Sequence, residues 1–392
     1  MLNLINDNNF HSKFLLVSIL DGLYSFHNQL VSLFGVIYFF QLTNSIWLAF
    51  LPFILGRFLS AILLLLLSTP FGKLGTKVGM YIGWSLIILS GIPIYIYNQN
   101  HDLIWVYVWL ITFFTSKAIL FVPWLYLMGK YSDHQTRGSQ FAFKQSLMII
   151  ASVLAPLSGG FLSHFYGIEA VFAGASAVMI LGLFIIQKLP NKHVQINIKP
   201  PQFYKTNKSH SSFLSSLIFE FNGTGAEQLW LLLLFLATGG SFQLFGSYVA
   251  FSVLVSLALT LTIGKILNKG HRTRSFQIIS VITGLIQITR SLKLLPLISL
   301  EVMGRVFNGL HYQVFEVYWF DLINHKVAPN QRDELTVVFL IHNALTISIV
   351  FIIAGVLTTL FKLNNALLIM GLITILLPIM LYPHLRTHKL NK

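Results

Sequence analysis

The chain has no cysteine among its 392 residues, so disulfides, thiolate nucleophiles and cysteine metal sites are all excluded. Charge is scarce too. Charged residues make up 10% of the composition, where a soluble chain carries about a quarter. The acids are scarcest, with 12 Asp and Glu against 26 Lys and Arg. No Gly-x-x-x-x-Gly-Lys-Ser/Thr run is present, so ATP-driven pumping is not expected. Neither a His-Glu-x-x-His pair nor a Gly-x-Ser-x-Gly elbow occurs. No catalytic residue, metal site or cofactor is therefore expected, and the chain is not read as an enzyme. The start "MLNLINDNNFHSK" lacks the basic region and small-residue cleavage site of a signal peptide, and the first span is read as retained.

What is abundant is apolar sequence. Hydrophobic residues reach 55%, with 34 Phe and 14 Tyr. Apolar runs of about 20 residues match a hydrocarbon core of roughly 30 Å. The pattern predicts twelve spans, over 13–41, 45–69, 78–97, 103–128, 140–163, 168–189, 213–238, 244–267, 276–292, 296–321, 333–361 and 364–384. The longest polar interruption, "QKLPNKHVQINIKPPQFYKTNKSH" (187–210), divides six spans from six. The predicted organisation is a bundle over 1–189, a linker over 190–212 and a second bundle over 213–392.

Basic residues set the orientation. Arg57, Lys117, Arg290 and Arg305 lie inside spans, and Lys293 and Lys362 sit in short connections on one side. The remaining bases fall in loops on the other side, at both termini and at adjoining helix ends, which places that side in the cytoplasm. The formal net charge of +14 is thus a topology signal, one that also suits an anionic leaflet, and needs no nucleic-acid partner.

The halves repeat each other. "LDGLYSFHNQL" (20–30) aligns with "FEFNGTGAEQL" (219–229), matching Asp21 to Glu220, Asn28 to Glu227 and Gln29 to Gln228. "GKLGTKVG" (72–79) answers "GKILNKGH" (264–271), and Trp124, Arg137 and Gly160 answer Trp319, Arg332 and Gly355. An even number of spans in each half makes the repeat parallel, about an axis along the membrane normal.

On these residues the chain resembles the major facilitator superfamily of secondary transporters. Gly72, Leu74, Lys77 and Gly79 match its Gly-x-Leu-x-Asp-Arg/Lys-x-Gly signature between spans 2 and 3, with Thr76 at the aspartate position and Met80 at a basic one. The second copy keeps Gly264 and Lys269, and "TRGSQFAFKQSLMIIASVLAPLSGG" (136–160), with Arg137, resembles the family's arginine-glycine loop and fifth span. The resemblance implies an all-α membrane protein of twelve helices in two pseudo-symmetric bundles. Gly72, Lys77, Gly79, Arg137, Gly264 and Lys269 would be its gating-loop residues. It further implies that spans 1, 4, 7 and 10 line a central cavity.

Those spans are where polar residues collect. Span 1 carries Asp21, Asn28 and Gln29; span 4 carries Lys117; span 7 carries Glu220 and Glu227; span 10 carries Glu301, Arg305, Asn308, His311 and Glu316. Asp21, Ser25 and Asn28 share one helical stripe, as do Glu220, Thr224 and Glu227, and Glu301, Arg305 and Asn308. A charge at mid-bilayer costs at least about 2.5–3.5 kcal/mol and usually faces the bundle interior. Asn28, Gln29, Lys117, Trp124, Arg305, Asn308 and His311 are the candidate substrate contacts. Glu227, then Asp21, with Glu220, are the candidate proton carriers, since a desolvated carboxylate can load and release a proton. Glu301–Arg305 also fits a pair that merely ties helices together, Arg57 fits a cavity or counter-ion role, and Asp21 is placed to pair with a base such as Arg57. Arg290 is expected to snorkel to the outer end of its span. Asp21 and His27, six apart, do not share a face and make a poor metal pair. Gly223 and Gly225 are expected to let span 7 bend or approach a neighbour.

The expected function is alternating-access transport of a small polar solute, charged or zwitterionic, coupled to a proton or to sodium. The expected setting is a monomer in the bacterial cytoplasmic membrane with both termini cytoplasmic. The alternative is a transport-incompetent sensor or a membrane enzyme on the same scaffold.

Overall fold

Lipid offers backbone N–H and C=O groups no partner, so a chain this apolar must satisfy them within helices. The computed structural model describes residues 10–131, 137–193, 207–267, 272–326 and 332–380, and among them no strand occurs. The helices are α1 (Phe10–Thr43), α2 (Ile46–Leu74), α3 (Thr76–Leu89), α4 (Gly91–Asn100), α5 (Ile104–Tyr131), α6 (Arg137–Tyr166) and α7 (Ile168–Gln187). After the central segment come α8 (Asn207–Glu220), a π-helical turn (Phe221–Ala226), α9 (Glu227–Ala237) and α10 (Phe242–Leu267). They are followed by α11 (Arg272–Ser291), α12 (Leu297–Lys326), α13 (Arg332–Leu360) and α14 (Leu363–Met380).

Among the described residues, seven segments are long and apolar enough to cross a bilayer, among them Ile46–Leu74, Thr76–Asn100 and Thr336–Leu360. The protein is an all-helical integral membrane protein. Long helices outside that set carry many of the buried polar residues: α1 has Asp21, α11 has Gln287 and Arg290, and α12 has Glu301 and His311. Their polarity lowers the hydropathy, and it is the same polarity that builds the candidate site.

The chain divides into two compact units, Met1–Gly35 with Leu59–Ile198, and Val36–Phe58 with Lys199–Lys392. The division cuts through α1 and α2 rather than through the central segment alone.

In the first unit α3 packs along α5 and α7. The shared core takes Phe14, Val17 and Leu20 from α1, Trp84 from α3, Leu120 and Leu127 from α5, and Met179 from α7. Met80, standing where the resembled signature has a base, is fully buried in this core. Trp84 donates its indole N–H to the Met179 carbonyl. A Cβ on Gly182 would fall on the Trp84 ring, so only glycine admits the indole there.

In the second unit α11 packs against α12 and α14, and α13 against α8. Small residues let such helices approach closely. Cβ atoms added at Gly284 and Gly371 would each stand within 3.0 Å of the other's carbonyl oxygen. Phe351 of α13 meets Phe50 and Phe53 of α2, ring centroids 5.0 and 5.9 Å away.

Candidate functional site

The second unit holds a buried network built from α8, α9, α11 and α12. Its hub is Arg290, whose side chain is fully buried. Arg290 Nη1 donates to Glu227 Oε2 at 2.7 Å and to Gln287 Oε1 at 3.2 Å; Nη2 donates to Glu301 Oε2 at 3.1 Å, and Nε to the Leu300 carbonyl at 3.2 Å. The guanidinium lies 4.6 Å over the Trp230 ring, and the Trp230 indole N–H donates to Glu301. The expectation that Arg290 snorkels is corrected here. Its position one turn after Gln287 directs it inward, and the absence of a side chain on Gly304 makes the room: a Cβ there would sit on the guanidinium.

Arg305 completes the set, with Nε donating to Glu301 Oε1 at 2.6 Å and Nη1 lying 3.4 Å from Glu227 Oε1. Two carboxylates thus face two guanidiniums, and the cluster balances to zero charge. Breaking one partner of such a buried pair costs about 3–5 kcal/mol, because the other charge is left stranded. Arg305 Nη2 is buried and has no hydrogen-bond partner among the described residues.

Amides extend the network. Asn308 donates to Glu227 Oε2 at 2.6 Å, and Asn222 donates to Asn308 Oδ1 at 2.7 Å while accepting from Gln287 Nε2 at 3.1 Å. The second Asn222 proton faces His311 Nδ1 at 3.3 Å. His311 Nε2 lies 2.9 Å from Ser280 Oγ, and the Ser280 hydroxyl donates to the Phe276 carbonyl. His311 is therefore neutral, with its proton on Nε2, and is held between the rings of Phe219 and Phe276. Asn222 occupies the π-helical turn, a distortion that recurs at functional sites. Asn-Gly-Thr-Gly is a weak α-helix former, and a Cβ at Gly225 would collide with Met370 and Val350.

Immediately before the π segment, buried Glu220 accepts from Asn343 Nδ2 at 2.6 Å and from the Thr224 hydroxyl. Arg57 of α2 acts on it electrostatically.

In the first unit Asp21 of α1 pairs with Lys144 of α6 at 3.4 Å, both buried. The sequence reading left Lys144 among the helix-end bases. Lys117 of α5 donates to Asn28 Oδ1 at 2.9 Å, with its ammonium 4.2 Å over the Phe113 ring. Trp124, a candidate substrate contact, presents its ring to Lys144 at 5.8 Å. Gln29 reaches Ser152 Oγ at 3.5 Å, and the His27 ring packs against Phe113.

The loop signature is clasped by the segment after α7. Thr76 N–H donates to the Lys192 carbonyl at 2.8 Å, and Lys192 N–H donates to Thr76 Oγ1 at 3.1 Å. Asn191 Oδ1 accepts from Lys77 N–H at 3.0 Å, and Lys77 Nζ donates to the Gln187 carbonyl at 2.7 Å. Buried Gly72 and Gly79 flank the clasp, and Gly75 (φ 102°) opens the turn in a conformation that favours glycine. Thr76 thus makes neutral hydrogen bonds where the resembled signature carries an acid. Lys269 lies outside the described residues, and of the side chain of Arg137 and the surroundings of Gly264 nothing is described.

The structure brings together Glu227, Arg305, Asn308 and His311 in the second unit, and Asn28 with Lys117 in the first. Sequence reasoning missed Arg290's inward role, and it missed Lys144, Asn222, Gln287, Asn343 and Trp230. For Arg290 a signal existed, since an ionisable group within an apolar helix ordinarily faces the protein interior.

No protein-family model and no curated protein matches the chain. Solved structures do. The nucleoside transporter NupG aligns over 95% of this chain and 99% of its own at 16% identity, with a TM-score of 0.65. A POT family transporter in complex with 5-aminolevulinic acid aligns over 95% and 96% at 11% identity, with a TM-score of 0.73. A D-xylose-proton symporter aligns over 95% and 98% at 13% identity, with a TM-score of 0.70. All three are transporters, and this chain shares their fold.

Proposed function

We propose that the protein is a secondary active transporter, moving a small polar solute by alternating access with a proton as the coupling ion. The observation that carries the reading is the charge-balanced network of Glu227, Arg290, Glu301 and Arg305, buried inside a fold shared with solute transporters. A scaffold alone needs no such cluster, since apolar packing in place of a buried ion pair is often as stable or more stable. Groups of both signs favour a charged or zwitterionic solute: Lys117 beside Asn28 offers an ammonium, and Arg305 offers a buried Nη2 with no acceptor among the described residues. The twelve-span topology, the bundles at 1–189 and 213–392 with a linker between them, the monomeric state and a cytoplasmic-membrane location with both termini inside belong to the same reading.

The candidate substrate contacts are Asn28, Gln29, Lys117, Trp124, Arg305, Asn308 and His311, and the candidate proton carriers are Glu227, Asp21 and Glu220. The test is uptake by proteoliposomes of a labelled nucleoside, dipeptide, pentose and 5-aminolevulinic acid, with and without an inward proton gradient. Gradient-dependent accumulation of one probe class is the expected result. No flux of any probe, with solute-induced stabilisation of the purified protein, would instead favour a sensor on the same scaffold.

A further inference from the structure

The polar contacts of the two units fall on corresponding helices, and they differ in charge. In the first unit, α1 and α6 contribute Asp21 and Lys144, paired at 3.4 Å. The corresponding elements of the second unit, α8 and α13, contribute Glu220 and Asn343, hydrogen-bonded at 2.6 Å. Asp21 aligns with Glu220, while the register set by Arg137–Arg332 and Gly160–Gly355 carries Lys144 onto Phe339, one helical turn before Asn343 and on the same face of α13. Two turns further, Asn28 meets Lys117 in the first unit, and Glu227 meets Asn308 in the second. At the first of these pairs the second unit keeps a buried acid and meets it with an amide in place of a cation.

A buried carboxylate needs compensation, because desolvation penalises the ionised form by several kcal/mol. Asp21 has Lys144. Glu227 and Glu301 have two guanidiniums between them, and Glu301 also accepts from Ser252 at 3.2 Å. Glu220 is as buried as these, at 3% exposure, yet neutral groups make its close contacts: the Asn343 amide on Oε1 and the Thr224 hydroxyl on Oε2. A proton is the compensation this shell lacks. The shell is also suited to both states. The Asn343 amide donates to Oε1 in either, while a hydroxyl rotates freely between donor and acceptor. Thr224 can donate to Oε2 of the carboxylate and accept from Oε2–H of the acid.

The charged and titratable groups about Glu220 come from several elements. Arg57 of α2 acts on it electrostatically. On α13, His342 precedes Asn343 and its ring lies 5.6 Å from Phe213 of α8. From α12, neutral His311 lies against Phe219 at 5.3 Å. Glu227 stands two turns on, already neutralised by Arg290 and Arg305. The sequence of α14 holds no ionisable residue.

We propose that Glu220 is the group that loads and releases the coupling proton, that Asn343 and Thr224 are its positioning residues, and that Glu227 belongs to a permanently ion-paired anchor. The assignment rests on the transport reading, and it revises the order of preference taken from sequence, which put Glu227 first. The step is a plain proton transfer: water delivers a proton to Oε2 from one side, and Oε2 returns it to water on the other.

The experiment is infrared difference spectroscopy of the purified, detergent-solubilised protein through a pH titration, reading the carbonyl stretch of protonated carboxylic acids and its shift in D2O. Wild type should show a buried carboxyl band that Glu220→Gln removes and Glu227→Gln leaves. Asn343→Lys installs the first unit's cation and should remove the same band without touching the acid. This second route keeps the test decisive if Glu220→Gln folds poorly. A band that survives Glu220→Gln and Asn343→Lys, but is lost in Glu227→Gln, overturns the assignment. The transport reading fails separately: a Glu220-dependent band in a wild-type protein that moves no solute refutes transport and leaves the proton site standing.

Discussion

Gly304→Ala puts the buried network to a quantitative test. In an ordinary helix interior the change stabilises by about 1 kcal/mol, because alanine loses less backbone entropy than glycine. Here the new Cβ would occupy the place of the Arg290 guanidinium. Arg290 must then leave Glu227, Gln287, Glu301 and the Leu300 carbonyl together. Stranding a buried charge costs about 3–5 kcal/mol, so the net effect is a destabilisation of about 2–4 kcal/mol once the propensity gain is subtracted. Gly129→Ala is the control, since a Cβ there meets nothing within 4 Å. Thermal unfolding in detergent should give a clear loss of Tm for Gly304→Ala and no loss for Gly129→Ala. Trp230 fluorescence should shift as the stacked guanidinium is withdrawn. Adding Gly304→Ala to Arg290→Met should cost far less than it costs alone, because the two changes disturb the same contact. A Gly304→Ala protein as stable as wild type, with unshifted Trp230 emission, would refute the placement of Arg290.

Further outcomes follow from other parts of the molecule. Lys144→Met should destabilise by about 3–5 kcal/mol by stranding Asp21, and Asp21→Asn in the same chain should recover part of the loss; equal Tm values for single and double variants would contradict the pairing. Asn191→Ala removes the acceptor for an N–H in the first turn of α3, a capping loss of about 1 kcal/mol. Amide exchange at Lys77 should quicken roughly fivefold, a change of that size in free energy, and unchanged exchange would show the clasp to be incidental. Reporter fusions at either terminus and within 190–212 should read as cytoplasmic, and an external central segment would break the twelve-span topology.

The fold was legible because lipid imposes a coarse rule. Apolar runs of membrane-spanning length predict an all-helical membrane protein without any knowledge of side-chain packing. The stripe Glu220–Thr224–Glu227 was legible from period alone, and so was the Glu301–Arg305 pair. Partner choice was not. Whether Arg290 runs to the membrane surface or turns inward depends on Gly304 across the α11–α12 crossing, and no local spacing encodes that crossing. Lys144 lies close enough to the start of its span to be counted with the loop bases. Its burial against Asp21 follows from how α6 meets α1. Asn343 drew no notice because an amide in an apolar helix carries no signal until its contact with buried Glu220 is seen.

The central claim is coupling of solute movement to a proton, and the most direct measurement is proton entry itself. Proteoliposomes loaded with a pH-sensitive dye, held without an imposed gradient, would receive each candidate solute in turn from outside. The account predicts that a transported solute acidifies the lumen in wild type, and that the acidification is lost in Glu220→Gln. Solute accumulation without any lumenal pH change, in wild type, would contradict it.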